Sequence, residues 1–297
     1  MSSEYRFYVR LAGIVTLVLV SLMIAAKTWA WLVSGSAAML GSLTDSLLDI
    51  SASMMSFMIL GYALQPADDD HRFGHGKAEA LAGLGQAAFI AGSACLLSFH
   101  GIERLYNPTP VTHSGIAIGV SIFAVVCTLL LVAVQFYVVK RTKSIAIKAD
   151  SLHYKGDLLL NLAVLAAVLL SDYGLVYADA IFAILVAGYL LSNGWGIARE
   201  SADHLMDKEL PAEEQTQILN LATAHPEVLG VHELRTRQSG KMKFVQLHLE
   251  LPAELPLSQA HRITEEVMRT ISAAFPLGID LLIHQDPVVS VKHSLAK

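Results

Sequence analysis

Long apolar stretches separated by short polar links fill the first two thirds of the chain. Six of them reach the roughly 20 residues that a helix needs to cross a bilayer. They cover residues 9–33, 38–63, 78–105, 114–139, 147–170 and 178–198. Prolines follow the second and third stretches, at Pro66 and Pro108, and disfavour helix in the residue before them. The pattern therefore predicts six transmembrane helices, which place both termini on the same side of the membrane.

From about residue 210 the pattern changes to a shorter alternation of polar and apolar residues. Pro211, followed by acidic residues, predicts the start of a helix, and Ser258 is the predicted N-cap of a second helix that ends near residue 274. Residues 230–237, 243–251 and 279–284 have the pattern of strands, the first two joined by a turn at Ser239 and Gly240. We therefore expect a six-helix transmembrane domain over residues 1–208 and a cytoplasmic α+β domain over residues 209–297.

The composition also favours an α-helical polytopic membrane protein with a soluble part. Hydrophobic residues make up 54% of the 297 residues and charged residues only 16%, whereas about 25% of a soluble domain is charged. Cys95 and Cys127 both fall in apolar stretches, which indicates small buried side chains and no disulfide framework. Since no signal-peptide cleavage site is convincing, we expect the first apolar stretch to remain as a transmembrane helix.

Basic residues predict the orientation of the helices. Most of them fall in segments on the N-terminal side of the membrane, namely Arg6, Arg10, Arg72, Lys77, Lys140, Arg141, Lys143, Lys148 and Arg199. The segments on the opposite side offer Arg104. Because cytoplasmic loops are enriched in Lys and Arg, we expect both termini in the cytoplasm.

Two of the apolar stretches carry pairs of ionisable side chains four residues apart, a spacing that puts both members on one face of a helix. Asp45 and Asp49 lie in the second stretch, and His153 and Asp157 lie in the fifth. At about 1.5 Å per residue, Asp49 would lie roughly 16 Å from the outer surface and Asp157 roughly 14 Å from the cytoplasmic surface. The two pairs therefore meet at one depth, near the middle of the bilayer.

These four side chains form a candidate transport site, because ionisable groups inside a membrane are costly and usually functional. One imidazole and three carboxylates suit a small tetrahedral dication such as Zn²⁺ better than Mg²⁺ or Ca²⁺. Without metal the carboxylates repel one another, so some are expected to hold protons that metal binding would expel. The alternative is that Asp45 and Asp49 are packing residues satisfied by neighbouring Ser and Thr side chains. Asp150 is expected at the membrane interface.

Two further clusters could bind metal outside the membrane. Asp68, His71 and His75 lie in the cytoplasmic link after the second stretch, where the alternative is a solvated acidic loop. The C-terminal domain carries a second, imidazole-rich set whose composition suits zinc. Its members are His232, His248, His261, His284 and Asp286. Here the alternative is ordinary surface histidines.

Three motifs resemble those of the cation diffusion facilitator family. They are SLTDSLLD at residues 42–49, HRFGHGKAE at residues 71–79 and DSLHYKGD at residues 150–157. The phrases LRTRQSG at residues 234–240 and IHQDP at residues 283–287 are similar to the bacterial zinc and iron efflux type. The resemblance covers nearly the whole chain.

The resemblance implies a homodimeric, proton-coupled exporter of Zn²⁺, and of related ions such as Cd²⁺ or Fe²⁺, that works by alternating access. It implies a multi-pass protein of the bacterial inner membrane whose cytoplasmic domain resembles metallochaperones. It assigns transport to Asp45, Asp49, His153 and Asp157, and a loop site to Asp68, His71 and His75. It further implies a two-metal cluster near the dimer interface, formed by His232, His248, His261, His284 and Asp286. Nucleic acid is not expected as a partner.

A membrane enzyme is one alternative to a transporter. A membrane metalloprotease would carry an HExxH motif and an open coordination position, and the sequence has no HExxH. We therefore expect a secondary active transporter and not an enzyme. The same ligands would also suit a channel or a metal sensor, and the sequence does not exclude either function. A channel would conduct metal ions without proton coupling, and a sensor would bind metal without flux.

Overall fold

The computed structural model describes residues 3–34, 37–106, 115–171, 177–276 and 278–288. The chain divides into two compact units, one from Ser3 to Ala202 and one from Asp203 onwards. Six long helices begin in the first unit. They are α1 (Ser3–Ser34), α2 (Ala37–Ala63), α3 (Lys77–Tyr106), α4 (Gly115–Thr142), α5 (Ile145–Ser171) and α6 (Ala178–Leu205).

Each predicted span overlaps one of these helices, but the ends differ. Helix α1 begins at Ser3 and α6 ends at Leu205, because a helix continues through polar residues once its backbone hydrogen bonds are made. The predicted stop at Pro108 and the predicted first residue of the fourth span, Ser114, lie outside the described residues.

Within the described ranges, five helices are long and apolar enough to cross a membrane: α1, α2, α3, α4 and α6. Helix α5, which carries Lys148, Asp150, Lys155 and Asp157, is not among them. Large apolar side chains on the helices are widely exposed, as Leu22, Met58 and Phe99 show. Outward-facing apolar surface of this kind is what lipid contact requires. The first unit is therefore a helical transmembrane domain.

Helix α5 packs against α3 and α4, and Leu152 of α5 joins an apolar cluster with Ile90 of α3 and Leu190 of α6. The start of α5 is held by Glu79, a buried residue near the start of α3. The Glu79 carboxylate accepts the backbone N–H of Ile145 at 3.0 Å and the hydroxyl of Tyr5 at 2.9 Å. Because the first N–H groups of a helix have no partner within it, Glu79 caps α5 and joins it to α1.

The second unit is a small α+β domain. Its elements are α7 (Ala212–Thr223), β1 (Gly230–Ser239), β2 (Met242–Pro252), α8 (Leu257–Ala274) and β3 (Ile279–Val288). The strand order is β1-β2-β3, with β1 antiparallel and β3 parallel to β2. Helix α8 supplies the crossover that the parallel pair needs. The β1–β2 turn contains Gly240 at φ +59°, a backbone conformation that glycine adopts readily.

The sheet has one apolar and one polar face because side chains alternate along a strand. Leu247, Leu249 and Leu251 of β2 are buried with residues of α7 and α8, including Ile218 and Ile263. The intervening residues Gln246, His248 and Glu250 lie on the other face and are at least partly exposed. The candidate metal ligands of the sheet therefore lie opposite the helices.

The N-cap predicted at Ser258 is wrong. Helix α8 begins at Leu257, its N-cap residue is Pro256, and no side chain makes a capping hydrogen bond. The carbonyl of Pro256 accepts the N–H groups of Gln259 and Ala260 at 2.9 and 3.0 Å. The backbone alone therefore starts the helix, two residues earlier than a serine cap would.

Candidate metal sites

The first group of possible ligands lies between α2 and α5. Asp49, His153 and Asp157 each offer a ligand atom, and these atoms lie within 4.8 Å of one another. His153 Nε2 is 2.9 Å from Asp49 Oδ1 and 3.7 Å from Asp157 Oδ2. Two ligand atoms about 2.0–2.1 Å from a tetrahedral zinc ion are about 3.3 Å apart. The three side chains can therefore share one small dication.

Two aromatic rings, those of Phe89 and Tyr154, lie against the imidazole of this membrane cluster. The imidazole of His153 is buried and lies edge-on to Phe89 of α3, with ring centroids 5.4 Å apart. Asp45 lies one turn before Asp49, but it is exposed and is not part of the group that meets. The structure thus brings together three of the four residues that the sequence suggests for transport.

Four of the hydroxyl groups that the structure describes on α2 make contacts other than with Asp45 or Asp49. Thr44 and Ser51 donate to carbonyls of their own helix, Ser46 accepts from Lys27 at 2.6 Å, and Ser53 donates to Asp150. The side-chain contact of Asp49 in the structure is to His153. These contacts argue against the alternative in which neighbouring hydroxyls satisfy the two aspartates.

Asp150 is buried among the helices, and its place at the membrane interface stays a prediction. Its carboxylate accepts from Ser53 Oγ at 2.7 Å and from Gln135 Nε2 at 2.6 Å, and Gln135 Nε2 is also 3.1 Å from Thr16 Oγ1. A cavity of about 20 Å³ lies beside these groups, enough for one water molecule. Sequence reasoning missed this network, although Gln135 is a polar residue within an apolar stretch, which is a signal.

The second group, the loop cluster, consists of Asp68, His71 and His75. Asp68 Oδ1 is 3.1 Å from His71 Nδ1, and Asp68 Oδ2 is 3.2 Å from His75 Nε2. His75 Nδ1 lies 3.1 Å from the carbonyl oxygen of Pro66. A carbonyl only accepts, so Nδ1 carries a hydrogen and Nε2 is the ring nitrogen that faces Asp68, as in metal-ligating histidines.

The electrostatics of the loop cluster favour an ionised carboxylate. The backbone N–H of His71 donates to Asp68 Oδ1 at 2.6 Å, and this bond lowers the pKa of the Asp68 carboxyl below its ordinary value. The adjacent Asp69 instead pairs with Arg72 at 2.9 Å. The loop therefore forms a defined three-ligand group in which Asp68 is the central carboxylate.

The third group, the sheet cluster, is built by strand register. His232, His248 and His284 are paired directly across β1, β2 and β3. Asp286 lies two residues after His284, hence on the same face. Asp286 Oδ2 is 2.8 Å from His248 Nδ1 and 3.1 Å from His232 Nε2, while Oδ1 is 3.1 Å from His284 Nε2. One carboxylate thus faces three imidazoles.

His232, His248 and Asp286 have ligand atoms within 4.8 Å of one another, and two imidazoles with a carboxylate are a donor set that zinc accepts. The hydrogen bond from His248 lowers the pKa of the Asp286 carboxyl, so it is ionised at neutral pH. His261 of α8 is exposed and lies outside this group. Four of the five residues suggested by the sequence therefore meet within one chain.

Comparison with known proteins gives consistent matches. The cation efflux transmembrane domain matches residues 13–206, and the cytoplasmic domain of cation efflux proteins matches residues 210–288. The chain is 46% identical over 287 residues to the cation-efflux pump FieF of Escherichia coli strain K12 / DH10B, covering 97% of this chain and 95% of that protein. The same values hold for FieF of Escherichia coli O157:H7 strain EC4115 / EHEC.

Among solved structures, the zinc form of CzrB, described as a zinc transporter, is 35% identical. That match covers 27% of this chain and 92% of the CzrB chain, with a TM-score of 0.26.

Proposed function

Because this chain belongs to the cation efflux family, whose members are transporters and not enzymes, we propose that it exports divalent metal ions in exchange for protons. The observation that carries the proposal is the membrane cluster. Its ligands come from two helices, Asp49 from α2 and His153 with Asp157 from α5. A site divided in this way opens when one helix moves against the other.

Competition between metal and protons for the same ligands couples metal export to proton entry. Without metal, Asp49 and Asp157 lie close together beside the buried imidazole of His153, so protons relieve the repulsion between the two carboxylates. Binding of a dication requires ionised carboxylates and a neutral imidazole, and it therefore releases protons. Asp45, one turn from Asp49, would supply a fourth ligand when α2 shifts. The substrate is Zn²⁺, with Cd²⁺ and Fe²⁺ as related ions that the same donors accept.

The transport cycle follows from alternating access. A metal ion from the cytoplasm displaces protons at the cluster, α2 moves against α5, and the site opens outward. Protons entering from outside then displace the ion. Moving one charge through the membrane potential supplies about 2.3 kcal/mol per 100 mV. We place both termini in the cytoplasm of a bacterial inner membrane, because the basic links lie on the N-terminal side.

The sheet cluster would hold a resident metal ion through His232, His248 and Asp286. His284 would lie beside the second carboxylate oxygen of Asp286. When bound, that ion would cross-link three strands. The chain would act as a homodimer, and the exposed His261 would then reach the sheet cluster of a second copy. The loop cluster at Asp68, His71 and His75 would bind a further ion.

Transport into proteoliposomes with an imposed pH gradient tests the proposal. We expect Zn²⁺ to accumulate against its own gradient when the vesicle interior is acidic, with Cd²⁺ and Fe²⁺ accumulating to different extents. Metal flux that ignores the proton gradient would identify a channel, and metal binding without flux would identify a sensor. Either result would refute antiport.

A further inference from the structure

The strand that carries His232 contains a break in its pairing. The register of β1 with β2 shifts between His232 and Arg235. Glu233 lies in this bulge with φ +49°, a left-handed backbone conformation that residues other than glycine adopt rarely. In a regular strand Glu233 would point away from the face that holds His232. In the bulge its Oε2 instead lies 3.7 Å from Nε2 of His248.

The two ring nitrogens of His248 face different carboxylates. Nδ1 is 2.8 Å from Asp286 Oδ2, on the side of the sheet cluster, and Nε2 faces Glu233. A neutral imidazole has one N–H donor and one lone pair. Without metal, Nδ1–H donates to Asp286. When Nδ1 binds a metal ion, the ring hydrogen must be on Nε2, where only an acceptor stabilises it.

Glu233 is placed to be that acceptor. Its side chain is exposed, and the same Oε2 lies 3.8 Å from a guanidinium nitrogen of Arg235. A small rotation of the Glu233 side chain shortens the 3.7 Å distance to the 2.7–3.2 Å of a hydrogen bond. Glu250 differs, because its Oε1 lies 3.7 Å from Nε2 of His232, the nitrogen that already faces Asp286. Glu250 is thus on the metal side of its histidine, whereas Glu233 is on the far side of His248. Carboxylates on the far side of ligating histidines fix ring orientation and tautomer.

We propose that Glu233 is a positioning residue for the sheet cluster: it accepts the Nε2–H of His248 and so directs the lone pair of Nδ1 to the resident metal ion. The proposal rests on the sheet cluster being a metal site, as proposed above. It also gives a reason for the left-handed conformation of Glu233, since a regular strand would turn this carboxylate away.

The test uses the full-length protein in detergent, with the other clusters disabled by Asp157→Ala and His75→Ala, and competition titration with Zn²⁺. Glu233→Gly removes the carboxylate but suits the left-handed backbone. We expect Zn²⁺ affinity to fall about 10–100-fold, as is typical when such a partner of a metal ligand is lost. The melting temperature of the metal-free protein should stay the same or rise. Glu254→Gln, an exposed residue in the turn after β2, serves as the matched control and should change neither quantity.

A second measurement reports the tautomer directly. With ¹⁵N-labelled histidine, the zinc-bound parent should show His248 protonated at Nε2, and Glu233→Gly should weaken that signature. Unchanged affinity in Glu233→Gly, or an affinity that falls only in step with the melting temperature, would overturn the role of Glu233. If the parent itself shows no Zn²⁺ binding that His232→Ala removes, the sheet cluster is not a metal site, and the proposal fails for that separate reason.

Discussion

The membrane cluster and the sheet cluster use similar donors on very different supports. Asp49 and His153 come from two helices that share no backbone hydrogen bond among their described residues, so a relative movement of α2 and α5 separates them. His232, His248 and His284 come from strands joined by backbone ladders at one register. Such a site cannot open unless the sheet does. Under the proposed function, the freedom of the backbone, more than the donor chemistry, would separate a site that releases its ion from one that keeps it.

The largest expected effect comes from removing a ligand of the membrane cluster. Asp157→Ala should reduce Zn²⁺ transport in proteoliposomes to background, because the site loses a carboxylate that both metal and proton require. Zn²⁺ binding at the sheet cluster should not change. Asn161→Ala is the matched control on the same helix. The Asn161 side chain donates to the backbone carbonyl of Asp157 and is not one of the metal ligands. Normal transport by Asp157→Ala would remove the basis for the proposed site.

The converse substitution is His248→Ala in the sheet cluster. Since losing even an indirect partner lowers metal affinity about 10–100-fold, losing a ligand should cost at least as much. Equilibrium dialysis should show fewer Zn²⁺ ions per chain, while proton-driven transport continues at a reduced rate. Complete loss of transport, with a folded protein in size-exclusion chromatography, would mean that the two clusters do not have separate roles.

The loop cluster should show a smaller effect. Asp68→Asn removes the carboxylate shared by His71 and His75, so Zn²⁺ should no longer bind there. Transport should slow by only a few-fold, because the membrane cluster is intact. Initial rates at low and high Zn²⁺ concentrations check this, with Asp69→Asn as the neighbouring control. Equal effects of both substitutions would point to general loop acidity and not to a ligand.

The smallest expected effect is a change with pH in the stability of the metal-free C-terminal domain. The hydrogen bond from His248 lowers the pKa of Asp286 in the folded protein, whereas an unfolded aspartate has a pKa of about 3.9. A carboxyl with a lowered pKa stabilises the fold above its unfolded pKa, and this contribution is lost as the pH falls through the folded value. Asp286→Asn should therefore lower the melting temperature in EDTA at pH 7. The difference from the parent should disappear in strong acid, and a difference that grows on acidification would contradict this assignment.

Much of the fold follows from the sequence. The six apolar stretches predict the six helices, because the cost of exposing backbone in lipid leaves few alternatives. The four-residue spacing and equal depth predict that Asp49, His153 and Asp157 lie at one level. The spacing predicts a shared face but not which turn of α2 lies beside His153, and Asp45, one turn before Asp49, is outside the group.

The sheet shows a different limit. Strand patterns predict β1, β2 and β3, but the alignment of His232 with His248 depends on register, which sequence spacing leaves open. The bulge at Glu233 inserts a residue with no compositional signal, so its contact with His248 was invisible in the sequence. The hydrogen bonds of Asp150 could not be read from the sequence, because its partners, Ser53 and Gln135, come from two other helices.

The hydrogen bond from Ile145 to Glu79 anchors the first residue of α5, so a tilt of this helix would pivot about that end. His153 lies eight residues beyond Ile145, roughly 12 Å along the axis at about 1.5 Å per residue. A tilt of about 10° around the attached end would therefore displace the imidazole by roughly 2 Å, since the arc grows with distance along the helix. That displacement is comparable to a metal–ligand bond length, so a modest inclination of α5 would be enough to make or break the proposed contact between His153 and the ion.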